Sequence, residues 1–181
     1  MSLFRNKYRI GSSRMPGWDY GSPGSYYVTI CTKDREHFLG EIIDQKMHLS
    51  ESGKQVELEW LQTPALRRDM NLTLGRHVVM PNHFHGIISI GLNAFNTPAL
   101  RMPGTTPTDT RNQFGPHRKN LPSIIAGFKG AVTKYARINN IVFDWQSLYW
   151  DHIIRTERDL YRVEYYIDHN VENWRKDRFN R

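Results

Sequence analysis

Cysteine is almost absent from this chain, Cys31 being the only one among 181 residues. No intramolecular disulfide can form, and no zinc site built from paired cysteines is available within the chain. That scarcity fits a reducing, cytoplasmic setting. Long hydrophobic runs are missing too. None approaches the roughly 20 residues a membrane-spanning helix needs, so no membrane partner is expected. The opening Met-Ser-Leu-Phe-Arg-Asn-Lys-Tyr-Arg has no apolar stretch behind it, which predicts no secretory leader. There is no internal repeat.

What is present reads as a globular protein. Hydrophobic residues make up 39% and charged residues 24% of the chain, and 181 residues is an ordinary length for one compact domain. Lys and Arg number 25 against 18 Asp and Glu, giving a net charge of +7. That excess favours a polyanionic partner, nucleic acid above all, although charge alone leaves a merely soluble basic protein equally tenable.

Residues 1–24 mix Arg5, Lys7, Arg9 and Arg14 with Tyr8, Trp18 and Tyr20 before turning through Gly21, Pro23 and Gly24. Such a basic arm suits phosphate contacts and base stacking, and equally suits packing on its own domain. Tyr26 to Thr32 is β-branched and aromatic and predicts a strand, followed by a hairpin from Phe38 to Leu49 that turns near Asp44 and Gln45. Ser50 caps a predicted helix from Glu51 to about Gln62, which Pro64 ends. Leu72 to Met80 and Asn82 to Ile90 follow as strands. Residues 91–120, rich in Thr, Pro, Gly and Asn, predict a long mobile loop. Leu121 to Ile138 is an amphipathic helix whose Lys129 and Lys134 are candidate DNA contacts. A last strand over Leu148 to Ile154 precedes a helix that opens at Thr156, with Asp159 completing a variant capping box, and runs to about Asn173. The order of elements predicts an α+β fold of ferredoxin-like type, helices packed on an antiparallel sheet.

Within the strand that ends this central pair, His83 and His85 share a face while Phe84, Ile88 and Ile90 share the other. An isolated His-x-His more often has no ligand role, and the chain has eight histidines. The setting raises this one: Pro81 and Asn82 make a turn before it, and Gly86 leaves room for close approach of a backbone or a ligand. On the C-terminal helix, four-residue spacing stacks Tyr166 over Asn170 and Tyr165 over His169. One residue turns a helix by about 100°, so both pairs cannot face one metal, and spacing alone does not choose between them.

The segments Pro16-Gly17-Trp18-Asp19-Tyr20, Tyr27-Val28-Thr29-Ile30-Cys31-Thr32-Lys33-Asp34-Arg35, Val78-Val79-Met80-Pro81-Asn82-His83-Phe84-His85-Gly86-Ile87-Ile88, Gly127-Phe128-Lys129, Trp150-Asp151-His152-Ile153-Ile154-Arg155 and Tyr166-Ile167-x-x-Asn170 span nearly the whole chain. In these the chain resembles the HUH endonucleases of the single-tyrosine transposase type, and among them the REP-associated tyrosine transposases. The resemblance implies that His83 and His85 form a metal pair, that Tyr166 on the C-terminal helix is the nucleophile, and that Asn170 supplies an amide as third ligand. Val171 stands where relatives carry proline, which leaves the helix free to continue.

The activity so implied is metal-dependent cleavage and rejoining of single-stranded or hairpin DNA through a 5′-phosphotyrosine, by a protein that works as a homodimer. One ester replaces another, so no nucleotide cofactor is needed. Nitrogen and amide-oxygen ligation with open positions suits Mn²⁺ and tolerates Mg²⁺, whereas structural zinc wants a closed tetrahedral set. Two alternatives stay open: a phosphoesterase in which metal-bound water attacks, and a DNA-binding module that no longer cuts.

Overall fold

The computed structural model describes residues 14–97 and 119–180. β1 (Gly24–Cys31) is followed by a small hairpin of β2 (Gly40–Ile43) and β3 (Lys46–Leu49), then α1 (Glu51–Leu66), β4 (Leu72–Met80), β5 (His83–Ile90), α2 (Leu121–Ile138), β6 (Trp150–Ile154) and α3 (Glu157–Asp168). The main sheet has the order β4, β5, β1, β6 with antiparallel neighbours throughout. Setting the β2–β3 hairpin aside, this is the ferredoxin-like succession of strand, helix, two strands, helix and strand. The predicted α+β class holds.

Local chemistry starts each element. Ser50 Oγ accepts the Gly53 N–H at 3.0 Å to open α1. Asn120 and Ser123 bond each other's backbone N–H reciprocally at the start of α2. Asp44 and Gln45 adopt φ of 49° and 59°, the pair of left-handed conformations that a two-residue type I′ hairpin turn requires. At α3, Thr156 Oγ1 accepts the Asp159 N–H, but the predicted return bond is missing because Asp159 is turned to His152, 2.7 Å away.

Several predicted boundaries move, and for three of them the structure shows the reason. α1 continues past Pro64 to Leu66, because a proline in the last turn forfeits only one N–H bond; the helix closes with Arg67 N–H on Pro64 O at 3.2 Å. β6 begins at Trp150 instead of Leu148, since the chain just before it is held from outside the sheet, by Lys129 on the carbonyls of Gln146 and Ser147. α3 stops at Asp168, well short of Asn173, and the break needs no proline at 171. There Asn173 Nδ2 donates to His169 O at 3.0 Å, a side-chain bond that competes with continued helix.

Strand alternation sends Tyr26, Val28, Ile30, Phe84, Ile88 and Ile90 into one core with Val56 and Trp60 of α1 and Ile124, Phe128 and Val132 of α2. α3 covers the other face through a smaller apolar contact of Ile87 with Val163 and Ile167. Gly86 belongs to the first face. A Cβ there would lie 2.6 Å from Trp60 Cζ2, so the room it leaves is filled by an indole of the core and not by a ligand.

Arg5, Lys7 and Arg9 of the predicted arm, and most of the predicted 91–120 loop, lie outside the described residues. The described parts of both are tied down. Asn93 is buried and donates to Met70 O and Gly91 O, and Asn96 donates to Gly21 O. In the arm, the buried Tyr20 donates its hydroxyl to Asp151 at 2.6 Å, Trp18 Nε1 donates to Tyr26, and Arg14 lies over the Tyr149 ring.

Candidate active site

Pro81 and Asn82 form the two-residue turn between β4 and β5, with Met80 paired to His83 across it. Asn82 is fully buried, and its Nδ2 donates to two carbonyls, Arg35 O at 3.1 Å and Phe179 O at 2.8 Å. Its Oδ1 therefore faces His83 Nδ1, 2.8 Å away, and must accept a proton from it. This fixes the tautomer: Nε2 of His83 carries a bare lone pair. That atom is buried and has no protein hydrogen bond, and the same is true of Asn170 Oδ1.

His85 is held by β1. The register sets Thr29 opposite His85, and both Thr29 Oγ1 and the Tyr27 hydroxyl lie against His85 Nδ1, at 2.9 and 2.7 Å. Its Nε2 points away from them toward α3. The two imidazoles sit 4.5 Å apart by ring centroids. Burial pushes His83 down to about 3, with Asn170 acting in the opposite sense, and burial with the neighbouring His83 holds His85 well below the ordinary imidazole range. Both are thus neutral near pH 7, the form in which imidazole ligates a metal.

α3 supplies the facing groups. The Tyr166 hydroxyl lies 3.4 Å from His85 Nε2 and 3.4 Å from Asp177 Oδ2. Tyr166 is 39% exposed, so it is not a core tyrosine. Burial of its hydroxyl end, then Asp177, holds its phenol above the usual range, and the Asn170 amide acts the other way. The competing pair is turned aside: Tyr165 and His169 stack on each other with centroids 3.9 Å apart. The chain after α3 then folds back, placing Phe179 4.6 Å from the His83 ring, flanked by the guanidinium groups of Arg35 and Arg178.

No known family model matches the chain. It is 34% identical over 180 residues to an uncharacterized protein of Haemophilus influenzae, spanning 94% of this chain and 96% of that one. The two belong to one family. Among solved structures, a REP-associated tyrosine transposase bound to a REP hairpin superposes with a TM-score of 0.54 at 16% identity, covering 96% of this chain and 74% of that chain. The fold is shared with that transposase.

The remaining residues of the predicted site fall elsewhere. Lys129 and Lys134 belong to α2, on the layer across the sheet from His83 and His85, where both border a cleft with Arg137, Asp144 and Trp145. Lys129 is occupied by the carbonyls of Gln146 and Ser147, and burial lowers its pKa. Arg14 is held on Tyr149. Among the described residues no three His, Cys, Asp or Glu side chains gather to hold a metal. Sequence reasoning missed Asn82, Tyr27, Thr29, Asp177 and Phe179. The period-two pattern of β1 marks Tyr27 and Thr29 as sharing a face, but only the register brings them to His85.

Proposed function

We propose that this chain is a transposase-type enzyme that cleaves and rejoins one strand of DNA, with Tyr166 as the attacking group and His83, His85 and Asn170 holding a divalent metal, Mg²⁺ or Mn²⁺. The observation that carries the reading is a pair of buried acceptors without hydrogen bonds, His83 Nε2 and Asn170 Oδ1, with the Asn170 amide acting on both His83 and Tyr166 and the partly exposed Tyr166 hydroxyl 3.4 Å from His85 Nε2. Buried acceptors left unpaired are costly, and a cation is what satisfies them. The hairpin held by the structural neighbour supports single-stranded or hairpin DNA as the partner.

Bound there, a divalent ion would polarise the phosphoryl oxygens and favour the phenolate character of the attacking oxygen. The chain's own part is positioning and proton handling. The Tyr166 oxygen forms a bond to phosphorus as the bond to the 3′-oxygen breaks. The phenolic proton passes to Asp177 Oδ2, the carboxylate 3.4 Å from it, and the departing 3′-oxygen takes up a proton from water to leave as a hydroxyl. The 5′-phosphate stays on the tyrosine, and reversal by a 3′-hydroxyl rejoins the strand. Asn82, Tyr27 and Thr29 hold the imidazoles in place so that their Nε2 atoms face the reaction.

The test incubates labelled single-stranded and hairpin oligonucleotides with Mn²⁺ and looks for a protein-linked band on a denaturing gel. Tyr166→Phe should give no such band while still binding DNA. Cleavage without a covalent band, retained in Tyr166→Phe, would instead mean that water attacks.

A further inference from the structure

Tyr165 and His169 have no part in the chemistry just described, yet they are built as a unit. His169 Nδ1 donates to the Tyr165 carbonyl at 2.8 Å, which fixes the imidazole against the tyrosine ring. The two planes are 26° apart. The pair is not buried: Tyr165 is 55% exposed, and the more exposed Tyr161 ring follows 6.5 Å away along the helix. Together Tyr165 and His169 line a cleft of about 720 Å³ whose wall also includes Tyr166 and Asn170. Arg162, Lys176 and Arg178 border the same cleft.

A rigid aromatic face beside cationic side chains is the combination that holds single-stranded nucleic acid: the cations track the phosphates and the ring takes a base. We propose that Tyr165, backed by His169, is a stacking platform for a nucleobase next to the phosphate that Tyr166 attacks; this rests on the reading of Tyr166 given above. Neighbours on a helix point about 100° apart, so Tyr165 is close to Tyr166 without competing for its place. Stacking needs only a π-face, so the platform accepts any base. The preference it creates is for bases over bare backbone.

The test measures fluorescence anisotropy with two probes, a thymidine oligonucleotide of roughly a dozen nucleotides and an abasic strand of equal length. The full chain carries Tyr166→Phe so that nothing is trapped covalently. The base-bearing strand should bind about tenfold more tightly than the abasic one. Adding Tyr165→Ala should remove most of that ratio and leave abasic binding unchanged, and Tyr165→Phe should restore it. An unaltered ratio in Tyr165→Ala overturns the platform. A wild-type protein that shows the ratio but forms no covalent band overturns the role of Tyr166 instead, and leaves a base-binding surface standing.

Discussion

On β1, Tyr26, Val28 and Ile30 face α1 and α2, while Tyr27, Thr29 and Cys31 face α3; on β5, Phe84 and Ile88 go one way and His83 and His85 the other. Both faces are buried, but they are buried differently. The first is a continuous apolar layer in which Trp60 packs on Phe84 at 4.8 Å and on Phe128 at 5.5 Å. The second has one small apolar contact, and beside it a set of polar groups whose hydrogen bonds orient them toward two unpaired acceptors. On the function proposed above, one face carries stability and the other carries chemistry, from alternate residues of the same strands.

Two substitutions separate the faces most sharply. His83→Ala should abolish the covalent DNA band, while urea denaturation shows a loss of only roughly 1–3 kcal/mol, the cost of leaving Asn82 Oδ1 without its donor. Trp60→Ala should do the reverse, costing about 3–5 kcal/mol through the cavity it opens, with adduct formation falling only as the folded fraction falls. If Trp60→Ala stopped cleavage in fully folded protein, the division of labour between the faces would be wrong.

A subtler break leaves the proposed ligands in place and removes their support. Asn82→Ala should lower Mn²⁺ affinity by about 10–100-fold, because His83 then loses the acceptor that fixes its tautomer. Titration calorimetry reads this directly, and unchanged affinity would show that the Asn82 bond does not matter to the ligand.

The same division explains what was legible beforehand. Apolar periodicity marks the core face, so β4, β5 and α2 are readable from the spacing of their hydrophobic residues. The His-x-His pair is readable as sharing a face, and Tyr166 as lying one turn from Asn170. The spacing of Tyr165 and His169 is identical, however, and only the packing of α3 through Val163 and Ile167 turns one pair inward and the other out. The return of Phe179 and Asp177 to the site comes after α3 has ended, with no periodic pattern to announce it. Asn82 joins Arg35 and Phe179 through the backbone, and backbone carbonyls leave no mark in side-chain sequence.

The smallest expected effect compares single charges on the two sides of the sheet. Arg162 borders the cleft beside Tyr166, with only a weak pairing to Asp159 at 4.0 Å, whereas Lys134 is exposed on α2, across the sheet from the site. Each phosphate neutralised on a single strand contributes about 0.7 to the slope of log affinity against log salt. Arg162→Gln should therefore flatten that slope by about 0.7 and weaken binding at low salt, and Lys134→Gln should leave both unchanged. Because the two charges are removed by the same chemistry, the difference between the variants reports only where the strand runs. A flatter slope in Lys134→Gln with none in Arg162→Gln would move the DNA to the α2 side, where a phosphate could not reach Tyr166 without wrapping around the sheet edge.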